Sequence, residues 1–291
     1  MAVPLPICYL NGEFLPLTDA RISPLDRSFL YGDGIYEVVP VFGGRPFRFP
    51  QHFDRLDRSL AEIRMAPPLA RTRWAEIVGE LLERNGGGDQ YVYVQVSRGA
   101  ENGRNHAPLP DVPRTIFGFC APLPQPSDAE LQHGLAGVTA LDMRWARCDI
   151  KSVSLLANVL LRQLAVDADA QETILLRDGW LTDASASTVH IVVGDVIVTP
   201  PNSPRLLPGT TRSVVEELAL EHGIEMQTRG VAEAELRAAD EIWLAAATRN
   251  ISAVTRLDGQ PVGTGKPGPV WRKMRTAFMT LQQRLAGTDW R

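Results

Sequence analysis

One lysine of this chain stands apart from the other basic residues. The sequence contains three lysines, Lys151, Lys266 and Lys273, among 30 lysine and arginine residues. Lys266 and Lys273 lie in or beside a polar, glycine-rich stretch near the C-terminus, where arginine would serve equally well. Lys151 instead follows Ile150 and precedes an apolar run, where a strand-like segment gives way to a predicted helix. A primary amine in such a setting can form a Schiff base, which a guanidinium group cannot.

Two interpretations of Lys151 are open on these grounds. Its aliphatic stem could lie along apolar surface while the ammonium group stays in water, as in an ordinary surface lysine. A cation at the start of a helix, however, opposes the positive end of the helix dipole. The position therefore also fits a reactive amine that is retained for covalent chemistry.

A second stretch, LLPGTTRSVVEEL at residues 206–218, has the composition of an anion site. Gly209, Thr210 and Thr211 stand at the start of a predicted helix, where free backbone N–H groups and the helix dipole attract negative charge. An ordinary helix N-cap is the alternative, because Ser and Thr are common there. The loop is not a P-loop, since the Gly-Lys-Ser/Thr element is missing.

The third stretch is WLTDASASTVH at residues 180–190. Asp183 ends a predicted strand, and the small residues 184–187 after it would let a flat ring lie close to the backbone. A turn built around an Asp is the alternative. A Schiff-base amine, an anion cradle and a carboxylate match the three groups by which a protein can bind pyridoxal 5'-phosphate. These are its aldehyde carbon, its phosphate and its ring nitrogen.

Length and composition narrow the class of protein. A chain of 291 residues usually forms two domains. The net charge of -4 and the scattered arginines provide no basic face for nucleic acid. No stretch approaches the roughly 18 uncharged apolar residues of a membrane span, and the start MAVPLPICYL lacks the basic region of a signal peptide. We therefore expect a cytoplasmic protein that binds neither nucleic acid nor a membrane.

The cysteines and histidines give no sign of a disulfide framework or a metal site. The three cysteines, Cys8, Cys120 and Cys148, are odd in number and far apart, which suits reduced thiols. The five histidines show neither HxH nor HExxH spacing, and the sequence contains no CxxC. We expect no bound metal.

Hydrophobic patterning predicts a two-domain α+β fold. Short strands alternate with helices without a dominant βαβ rhythm, which favours mostly antiparallel sheets. The proline-rich segment 121–128 is the predicted linker, so the domains cover residues 1–120 and 129–291. Predicted strands cover residues 34–42, 45–49, 91–99, 115–122, 136–142, 172–177, 179–183, 187–194, 195–200, 240–247 and 253–259. Predicted helices cover residues 51–65, 71–84, 154–168, 211–222 and 268–285, and the third carries one apolar stripe of Leu155, Leu156, Val159, Leu160 and Leu164.

Five stretches together resemble one enzyme family. They are YGDGIYEVV, HFDRL, RWARCDIKSVSLLANVL, GWLTDASASTVH and LLPGTTRSVV, and the resemblance runs in the family's order from about residue 8 to 280. The chain is similar to the class IV, fold type IV pyridoxal-phosphate aminotransferases, and most of all to the D-amino acid (D-alanine) aminotransferase branch. The resemblance implies a smaller N-terminal α/β domain, a larger C-terminal pseudo-barrel domain and a homodimer.

The resemblance also implies how the cofactor is held. Lys151 would form the Schiff base, the internal aldimine, and later carry the proton. Asp183 would face the pyridine nitrogen, at a position where the family usually has Glu. Glu172 and Arg144 would lie near the ring hydroxyl. The cofactor-binding set is completed by Arg55, Thr210, Thr211 and Thr248 at the phosphate, by Leu207 on the ring, and by Gly209 and Ser187.

A substrate-binding element is implied in VSRGAENGRNHAPLP, residues 96–110. Arg104 and His106 match the RxH element of the D-amino acid branch, and Tyr36 matches its tyrosine partner. Arginine can hold a carboxylate with two hydrogen bonds while His and Tyr donate from the flanks. Without the family match, a solvated loop would be the simpler interpretation of Arg104 and His106.

The resemblance implies transamination between a D-amino acid, such as D-alanine or D-glutamate, and a 2-oxo acid, such as 2-oxoglutarate or pyruvate. Three other activities on the same fold are alternatives: a branched-chain L-amino acid aminotransferase, an aminodeoxychorismate-lyase-like enzyme and an amine transaminase. A more distant alternative is an inactive protein that only binds pyridoxal phosphate.

Overall fold

The computed structural model describes residues 2–286 and residue 290, and these form two compact units. The first unit contains the chain up to Pro124, the segment Ile150–Leu155 and the described residues from Leu285 onward. The second unit contains Gln125–Asp149 and Leu156–Arg284. The short segment around Lys151 thus belongs to the first unit, although it lies within the predicted C-terminal domain. Residues 287–289 and 291 of that predicted domain lie outside the described residues.

The first unit is built on one six-stranded sheet. Its elements are β1 (Ile7–Leu10), β2 (Glu13–Pro16), a 3-10 turn (Leu17–Asp19), α1 (Arg27–Tyr31), β3 (Gly34–Phe42), β4 (Arg45–Pro46), α2 (Phe49–Glu62), α3 (Arg71–Arg84), β5 (Gln90–Ser97) and β6 (Thr115–Pro122). The strand order is β2-β1-β6-β5-β3-β4, and each pairing is antiparallel.

Alternation along the strands places one face of this sheet in the core. Ile35 and Val39 of β3 and Val94 of β5 are fully buried in one cluster with Phe53 of α2. Burying an apolar side chain of this size stabilises a fold by about 1.5–3 kcal/mol. Glu37 has the same strand parity as Ile35 and Val39, so a carboxylate is buried within an apolar face.

The two long helices of the first unit lie close to their predicted positions. Arg71–Arg84 matches the predicted helix at 71–84. The predicted helix at 51–65 instead covers Phe49–Glu62. It begins earlier because Pro50 occupies the first turn, where its fixed φ and missing N–H are tolerated. It ends earlier because Arg64 adopts a left-handed φ of 57°, which is incompatible with a continuing helix.

The second unit contains a nine-stranded sheet. Its elements are α4 (Asp128–His133), β7 (Leu135–Leu141), α5 (Leu156–Asp167), β8 (Glu172–Arg177), β9 (Trp180–Ala184), β10 (Thr188–Val193), β11 (Val196–Thr199), α6 (Thr210–Glu221), β12 (Met226–Thr228), α7 (Glu233–Arg237), β13 (Glu241–Ala246), β14 (Asn250–Leu257), β15 (Gln260–Pro261) and α8 (Pro269–Ala286), whose last two residues are assigned to the first unit. The order is β12-β11-β10-β13-β14-β7-β8-β9, with β15 paired to β14. A short turn joins β9 to β10, and Ala184 N–H donates to the Ser187 carbonyl.

The second sheet is more mixed than the sequence predicts. β7 pairs in parallel with β8 and with β14, and β11 pairs in parallel with β12. Helix α5 connects β7 to β8, and α6 connects β11 to β12, because parallel neighbours need a long crossover. The expectation of mostly antiparallel strands therefore holds for the first unit and only in part for the second. The α+β class is unchanged.

The apolar stripe of α5 points into solvent. The relative exposure is 72% for Leu156, 60% for Val159 and 53% for Leu160. Only Leu161 and Ala165 of this helix are buried. An apolar stripe ordinarily faces a core. A contiguous exposed apolar surface on a folded chain marks an interaction surface.

Helix α4 begins at the last residue of the predicted linker. Ser127 accepts a hydrogen bond from Glu130 N–H at 3.2 Å, and Glu130 accepts one in return from Ser127 N–H at 2.8 Å. This reciprocal capping box stabilises the first turn of a short helix. The Ser-x-x-Glu spacing is the signal by which the sequence could have revealed α4.

The described part of the chain offers neither a membrane-spanning helix nor a metal-binding cluster. No helix of residues 2–286 is long and apolar enough to cross a membrane. No group of three or more His, Cys, Asp or Glu side chains within that range could hold a metal ion.

Candidate active site

Lys151 is held against strand β3 by its own backbone. Tyr36 N–H donates to the Lys151 carbonyl at 3.1 Å, and Val153 N–H donates to the Gly34 carbonyl at 3.0 Å. Ser152 forms an isolated antiparallel bridge with Ile35. The following helix begins only at Leu156. Lys151 therefore extends a sheet edge and does not occupy a helix N-terminus, so the helix-dipole argument made from the sequence does not apply to it.

The amine of Lys151 faces an aromatic ring. Its Nζ lies 4.1 Å from the centroid of the Tyr36 ring, a distance at which a cation is attracted to the ring face. Among the described residues, no carboxylate lies within the 4.0 Å of an ion pair with this Nζ. The Tyr36 ring in turn stacks on Tyr93 at 5.5 Å. The structure thus brings together two predicted site residues, and the amine is not locked in an ion pair.

Arg55 is fixed by a buried carboxylate. Its Nε and Nη2 donate to the two oxygens of Glu37 at 2.7 and 2.9 Å, and His52 Nδ1 lies 2.8 Å from Glu37 Oε2. Burial alone would raise the pKa of Glu37, but Arg55 and His52 hold that pKa well below its ordinary range. Burial lowers the pKa of His52, so the imidazole is neutral at pH 7 and its Nδ1 is the donor. The guanidinium of Arg55 is therefore held rigidly at one edge.

Arg104 and His106 are exposed and lie on the loop after β5. The Arg104 guanidinium lies 5.2 Å from the ring centroid of Tyr31, and the His106 ring lies 5.5 Å from it. Within the described residues, no hydrogen bond, ion pair or ring contact joins either residue to Tyr36. The structure therefore brings the Arg–His pair together but does not place the pair against its predicted tyrosine partner.

In the second unit, Asp183 is a buried carboxylate with incomplete pairing. It stands on β9 and accepts one hydrogen bond from Arg144 Nη1 at 3.1 Å. Burial raises the pKa of Asp183 to about 6, although Arg144 and the backbone N–H groups of Ala184 and Leu207 oppose the shift. A carboxylate in this state would be stabilised by a further cationic partner.

Most of the hydrogen-bonding capacity of Arg144 is used elsewhere. Its Nε and Nη2 donate to the two oxygens of Asp142 at 3.0 and 3.1 Å, and Nη2 also donates to the Arg205 carbonyl at 3.1 Å. Thr182 adds a hydroxyl donor to Asp142 at 2.8 Å. The Arg144 guanidinium thus donates two hydrogen bonds to Asp142 and one to Asp183.

Glu172 is anchored by the serines that follow Asp183. Its carboxylate accepts hydrogen bonds from the hydroxyl groups of Ser185 and Ser187, the latter at 3.0 Å, and from Thr173 N–H at 3.1 Å. Glu172 is 1% exposed. No described hydrogen bond joins Glu172 to Arg144, so these two predicted neighbours hold separate partners.

The predicted anion cradle opens α6. The helix begins at Thr210, and its N-cap Gly209 has no side chain to satisfy the first N–H groups. A Cβ added to Gly209 would lie 2.9 Å from Thr188 Oγ1, so the backbone approaches its neighbour closely here. Thr211 is buried beside this end. A helix N-terminus without a side-chain cap and two threonine hydroxyls are donors of the kind that a phosphate requires.

Two predicted residues of the second unit remain, Leu207 and Thr248. Leu207 directs its backbone N–H at Asp183. Thr248 lies in the turn after β13, half-buried, where Arg249 N–H donates to the Ala246 carbonyl at 3.1 Å. No described hydrogen bond of the Thr248 side chain joins it to another predicted site residue.

Comparison with known proteins identifies the family. The amino-transferase class IV family model matches residues 34–257. The D-alanine aminotransferase of Bacillus licheniformis is 36% identical over 268 residues, covering 92% of this chain and 94% of that protein. The D-alanine aminotransferase of Staphylococcus aureus (strain MSSA476) is 35% identical over 271 residues, covering 93% and 95%. The chain belongs to the class IV aminotransferases.

Solved structures show the fold of this class IV aminotransferase. The Escherichia coli branched-chain amino acid aminotransferase superposes with a TM-score of 0.89 at 24% identity, covering 95% of this chain and 94% of that one. The T.th. branched-chain amino acid aminotransferase, solved with pyridoxamine 5'-phosphate, superposes with a TM-score of 0.89 at 25% identity, covering 96% and 95%. The predicted fold type IV architecture is confirmed, and the class IV aminotransferase is a pyridoxal-phosphate-dependent enzyme.

The residues present in this class IV aminotransferase fit that cofactor. Lys151 supplies a primary amine outside any described ion pair, and Asp183 supplies a buried carboxylate that lacks a full counter-charge. The start of α6 supplies N–H groups without a side-chain cap. These are donors and acceptors for the aldehyde carbon, the ring nitrogen and the phosphate, respectively.

Two supporting residues of the class IV aminotransferase were missed by sequence reasoning. Glu37 and Asp142 each hold a predicted arginine with two hydrogen bonds. Glu37 is the one charged residue of GIYEVVPVF and shares its parity with buried Ile35 and Val39. A charge on a core face requires a buried partner, and that pattern could have revealed Glu37. Asp142 gave no comparable signal.

Proposed function

We propose that this class IV aminotransferase transfers an amino group between a D-amino acid, such as D-alanine or D-glutamate, and a 2-oxo acid, such as 2-oxoglutarate or pyruvate. The observation that carries the proposal is the match to D-alanine aminotransferases at 36% and 35% identity over more than nine-tenths of the chain. The branched-chain structures are more distant, at 24% and 25% identity.

We assign the covalent role to Lys151. With the cofactor bound, its amine would hold the aldehyde carbon in the resting enzyme. Once a donor amino acid has taken its place, Nζ would be free to take up and return the proton at the substrate Cα. The Tyr36 ring, 4.1 Å from Nζ, positions the amine in both stages. Lys266 and Lys273 are the internal controls for this assignment.

The carboxylate of Asp183 is assigned to the pyridine nitrogen. When bound, the cofactor supplies an electron sink that stabilises negative charge at the substrate Cα. The buried Asp183 carboxylate would keep a proton on the ring nitrogen, because a desolvated anion stabilises a neighbouring cation. Arg144 orients Asp183 while most of its own donors are held by Asp142. Glu172, with Ser187, is assigned to the surroundings of the ring hydroxyl.

The remaining residues hold the phosphate and the substrate carboxylate. Gly209, Thr210, Thr211, Arg55 and Thr248 are assigned to the phosphate, and Leu207 to the ring face. Arg104 and His106 are assigned to the α-carboxylate of the substrate with Tyr36 as partner, because arginine and imidazole donors suit a carboxylate. For Arg104 and His106 this requires that the loop meets Tyr36 of its own or of a second chain.

We further propose a homodimer in the cytoplasm. The apolar stripe of α5, with Leu156, Val159 and Leu160 more than half exposed, is the surface that a second copy would cover. The three cysteines are free and buried, which accords with a reducing compartment. Sedimentation should show a dimer, and Leu156→Asp together with Leu160→Asp should yield a monomer. Leu220→Asp, at an exposed leucine of another helix, is the matched control and should remain dimeric.

The proposed reaction is tested with separate enantiomers. The purified holoenzyme is incubated with 2-oxoglutarate and with D-alanine, L-alanine, L-leucine or a simple amine, and glutamate formation is measured. Turnover restricted to D-alanine supports the proposal. Turnover with L-leucine would favour the branched-chain alternative, turnover with the amine would favour an amine transaminase, and pyruvate released from aminodeoxychorismate would favour a lyase.

Absence of any turnover would favour an inactive cofactor-binding protein. Borohydride reduction followed by peptide mapping tests the Lys151 assignment independently of substrate. We expect one modified peptide that contains Lys151. Modification at Lys266 or Lys273 would contradict the assignment.

A further inference from the structure

A buried arginine outside the cofactor-binding set holds the loop that carries Arg104 and His106. We propose that Arg27, together with Tyr31, is a positioning residue that sets this Arg–His pair for the substrate carboxylate and so determines specificity for amino acids over simple amines. The inference rests on the proposed function of Arg104 and His106. Neither Arg27 nor Tyr31 touches the reacting atoms in this scheme; both act through the loop.

The guanidinium of Arg27 connects four groups. Its Nε donates to Asp33 at 2.8 Å, and its Nη1 donates to Glu101 at 3.2 Å. Nη1 also donates to the carbonyl of Asn105 at 2.7 Å, and Nη2 donates to the carbonyl of His106 at 3.0 Å. Arg27 thus forms hydrogen bonds with the main-chain carbonyls of two consecutive loop residues directly after Arg104. A lysine ammonium could not reproduce this forked arrangement.

Tyr31 provides a common aromatic surface for the charged side chains. The guanidinium of Arg27 lies 4.6 Å from its ring centroid, that of Arg104 lies 5.2 Å from it, and the His106 ring lies 5.5 Å from it. The Tyr31 hydroxyl is buried and has no hydrogen-bond partner among the described residues. The ring, and not the hydroxyl, therefore makes the useful contacts.

The support beneath Arg27 and Tyr31 is rigid. Asp26 caps α1 by accepting from Ser28 N–H at 2.8 Å, and it also accepts from the hydroxyls of Ser97 and Thr115, the latter at 2.6 Å. Arg27 N–H donates to the Gly99 carbonyl at 2.9 Å. Gly99 has a φ of +104°, and a Cβ there would collide with the Pro113 carbonyl oxygen. Only glycine allows the loop to leave β5 at this point.

A long exposed side chain ordinarily samples many rotamers and loses that freedom on binding. Arg104 and His106 are both exposed, so their order depends on what they rest upon. With the main chain of the loop fixed by Arg27 and the side chains resting on Tyr31, much of that ordering is present before substrate arrives. A positioning role of this kind affects carboxylate binding and leaves the chemistry at Lys151 unaffected.

The test compares Arg27→Lys with Arg98→Lys in the holoenzyme. Arg98 donates to the same Asp33 at 2.7 Å and to the Ile63 carbonyl at 2.7 Å, but to no carbonyl of the loop that carries Arg104. We expect Arg27→Lys to raise KM for D-alanine roughly tenfold or more while kcat, cofactor absorbance and turnover of a simple amine stay near wild type. Arg98→Lys should change the melting temperature without this KM effect.

Tyr31 supplies a second variant in case Arg27→Lys fails to fold. Tyr31→Leu should raise KM for D-alanine in the same way. Tyr31→Phe, which keeps the ring, should leave KM near the wild-type value. If both Tyr31 variants behave alike, or if Arg27→Lys and Arg98→Lys shift KM equally, the contacts are structural only and the inference is overturned.

A double-mutant cycle separates this inference from the proposed function. If Arg27 acts through Arg104, then Arg27→Lys should have little further effect on KM in an Arg104→Ala background. Fully additive effects would overturn the inference alone. If Arg104→Ala by itself leaves KM for D-alanine unchanged, the proposed carboxylate role fails, and the inference falls with it.

Discussion

Two buried carboxylates, one in each unit, are each paired with an arginine, but their pKa values are shifted in opposite directions. Glu37 of the first unit accepts two hydrogen bonds from Arg55 and one from His52, and its pKa is held well below the ordinary range. Asp183 of the second unit accepts one from Arg144 at 3.1 Å, and burial raises its pKa to about 6. Both side chains are almost fully buried.

The difference separates a supporting acid from a reactive one. Burial penalises both anions, so the charge of the compensating donors decides which way each pKa moves. Arg55 donates two hydrogen bonds to Glu37, whereas Arg144 donates one to Asp183, whose other donors are neutral backbone N–H groups. Glu37 is fully compensated and has the character of a structural counter-ion. Asp183 is under-compensated because Arg144 is largely held by Asp142, and it would gain most from a bound cation. Under-compensated buried acids are candidates for functional groups.

The largest expected effect comes from breaking the compensated pair. Glu37→Gln should lower the free energy of unfolding by about 3–5 kcal/mol, because it removes the buried negative charge that pairs with the Arg55 guanidinium. Chemical denaturation monitored by tryptophan fluorescence measures the change. Glu80→Gln is the matched control, since it removes the exposed partner of Arg84 and should cost at most about 1 kcal/mol. Equal losses in the two variants would contradict the comparison.

Asp183→Asn should show the reverse pattern, with a large loss of turnover and little loss of stability. We expect kcat to fall by about 10²- to 10³-fold, the range for a lost electrostatic group in an active site. Asp183→Glu should also be slow, because the small residues 184–187 fit the shorter acid. Steady-state transamination and cofactor dissociation are measured for both variants. Wild-type turnover in Asp183→Asn would indicate a turn-capping aspartate with no role at the ring nitrogen.

The third expectation concerns pH. The pKa of Asp183 is raised from 3.8 to about 6, so the folded protein binds this proton more tightly than the unfolded chain does. The corresponding stability, up to about 3 kcal/mol, is fully present below about pH 4 and is lost as pH rises through about 6. Glu37 behaves oppositely, since its lowered pKa gives stability that is present above its ordinary value and lost only on acidification.

This linkage is measured as a difference between two proteins. The free energy of unfolding of the cofactor-free protein is compared with that of Asp183→Asn between about pH 4 and pH 7.5. As pH rises, the free energy of unfolding of Asp183→Asn should increase relative to that of the original protein. A difference that is independent of pH would show that Asp183 does not titrate in this range.

The smallest expected effect concerns Asp142, which competes with Asp183 for the hydrogen bonds of Arg144. Asp142→Asn should release guanidinium donors toward Asp183 and lower the pKa of Asp183 by roughly one unit, or about 1.4 kcal/mol. The midpoint of the same pH-dependent stability difference reports the shift. Asp258→Asn, at an exposed aspartate paired with Arg237, is the control and should leave the midpoint unchanged. An unchanged midpoint in Asp142→Asn would show that Arg144 is not shared.

Local patterns predicted the elements well where the pattern was long. Helix α3 and strands β6 and β8 have the predicted boundaries, and α6 begins within one residue of its predicted start after Gly209. Regular spacing and helix-end residues are short-range signals, so they can be recognised from neighbouring residues of the sequence. Short elements such as α1 and α7 have too few residues for such a pattern and were missed.

The sequence by itself determined the family and the identities of the chemical groups, because motif order and residue type survive without coordinates. The tertiary structure decided which partner each group has. It attached the Lys151 segment to β3, paired Arg55 with Glu37, divided Arg144 between Asp142 and Asp183, and left the α5 stripe exposed. Each of these choices depends on long-range packing and on the number of donors left within reach. Those quantities set charge and pKa, and no local periodicity contains them.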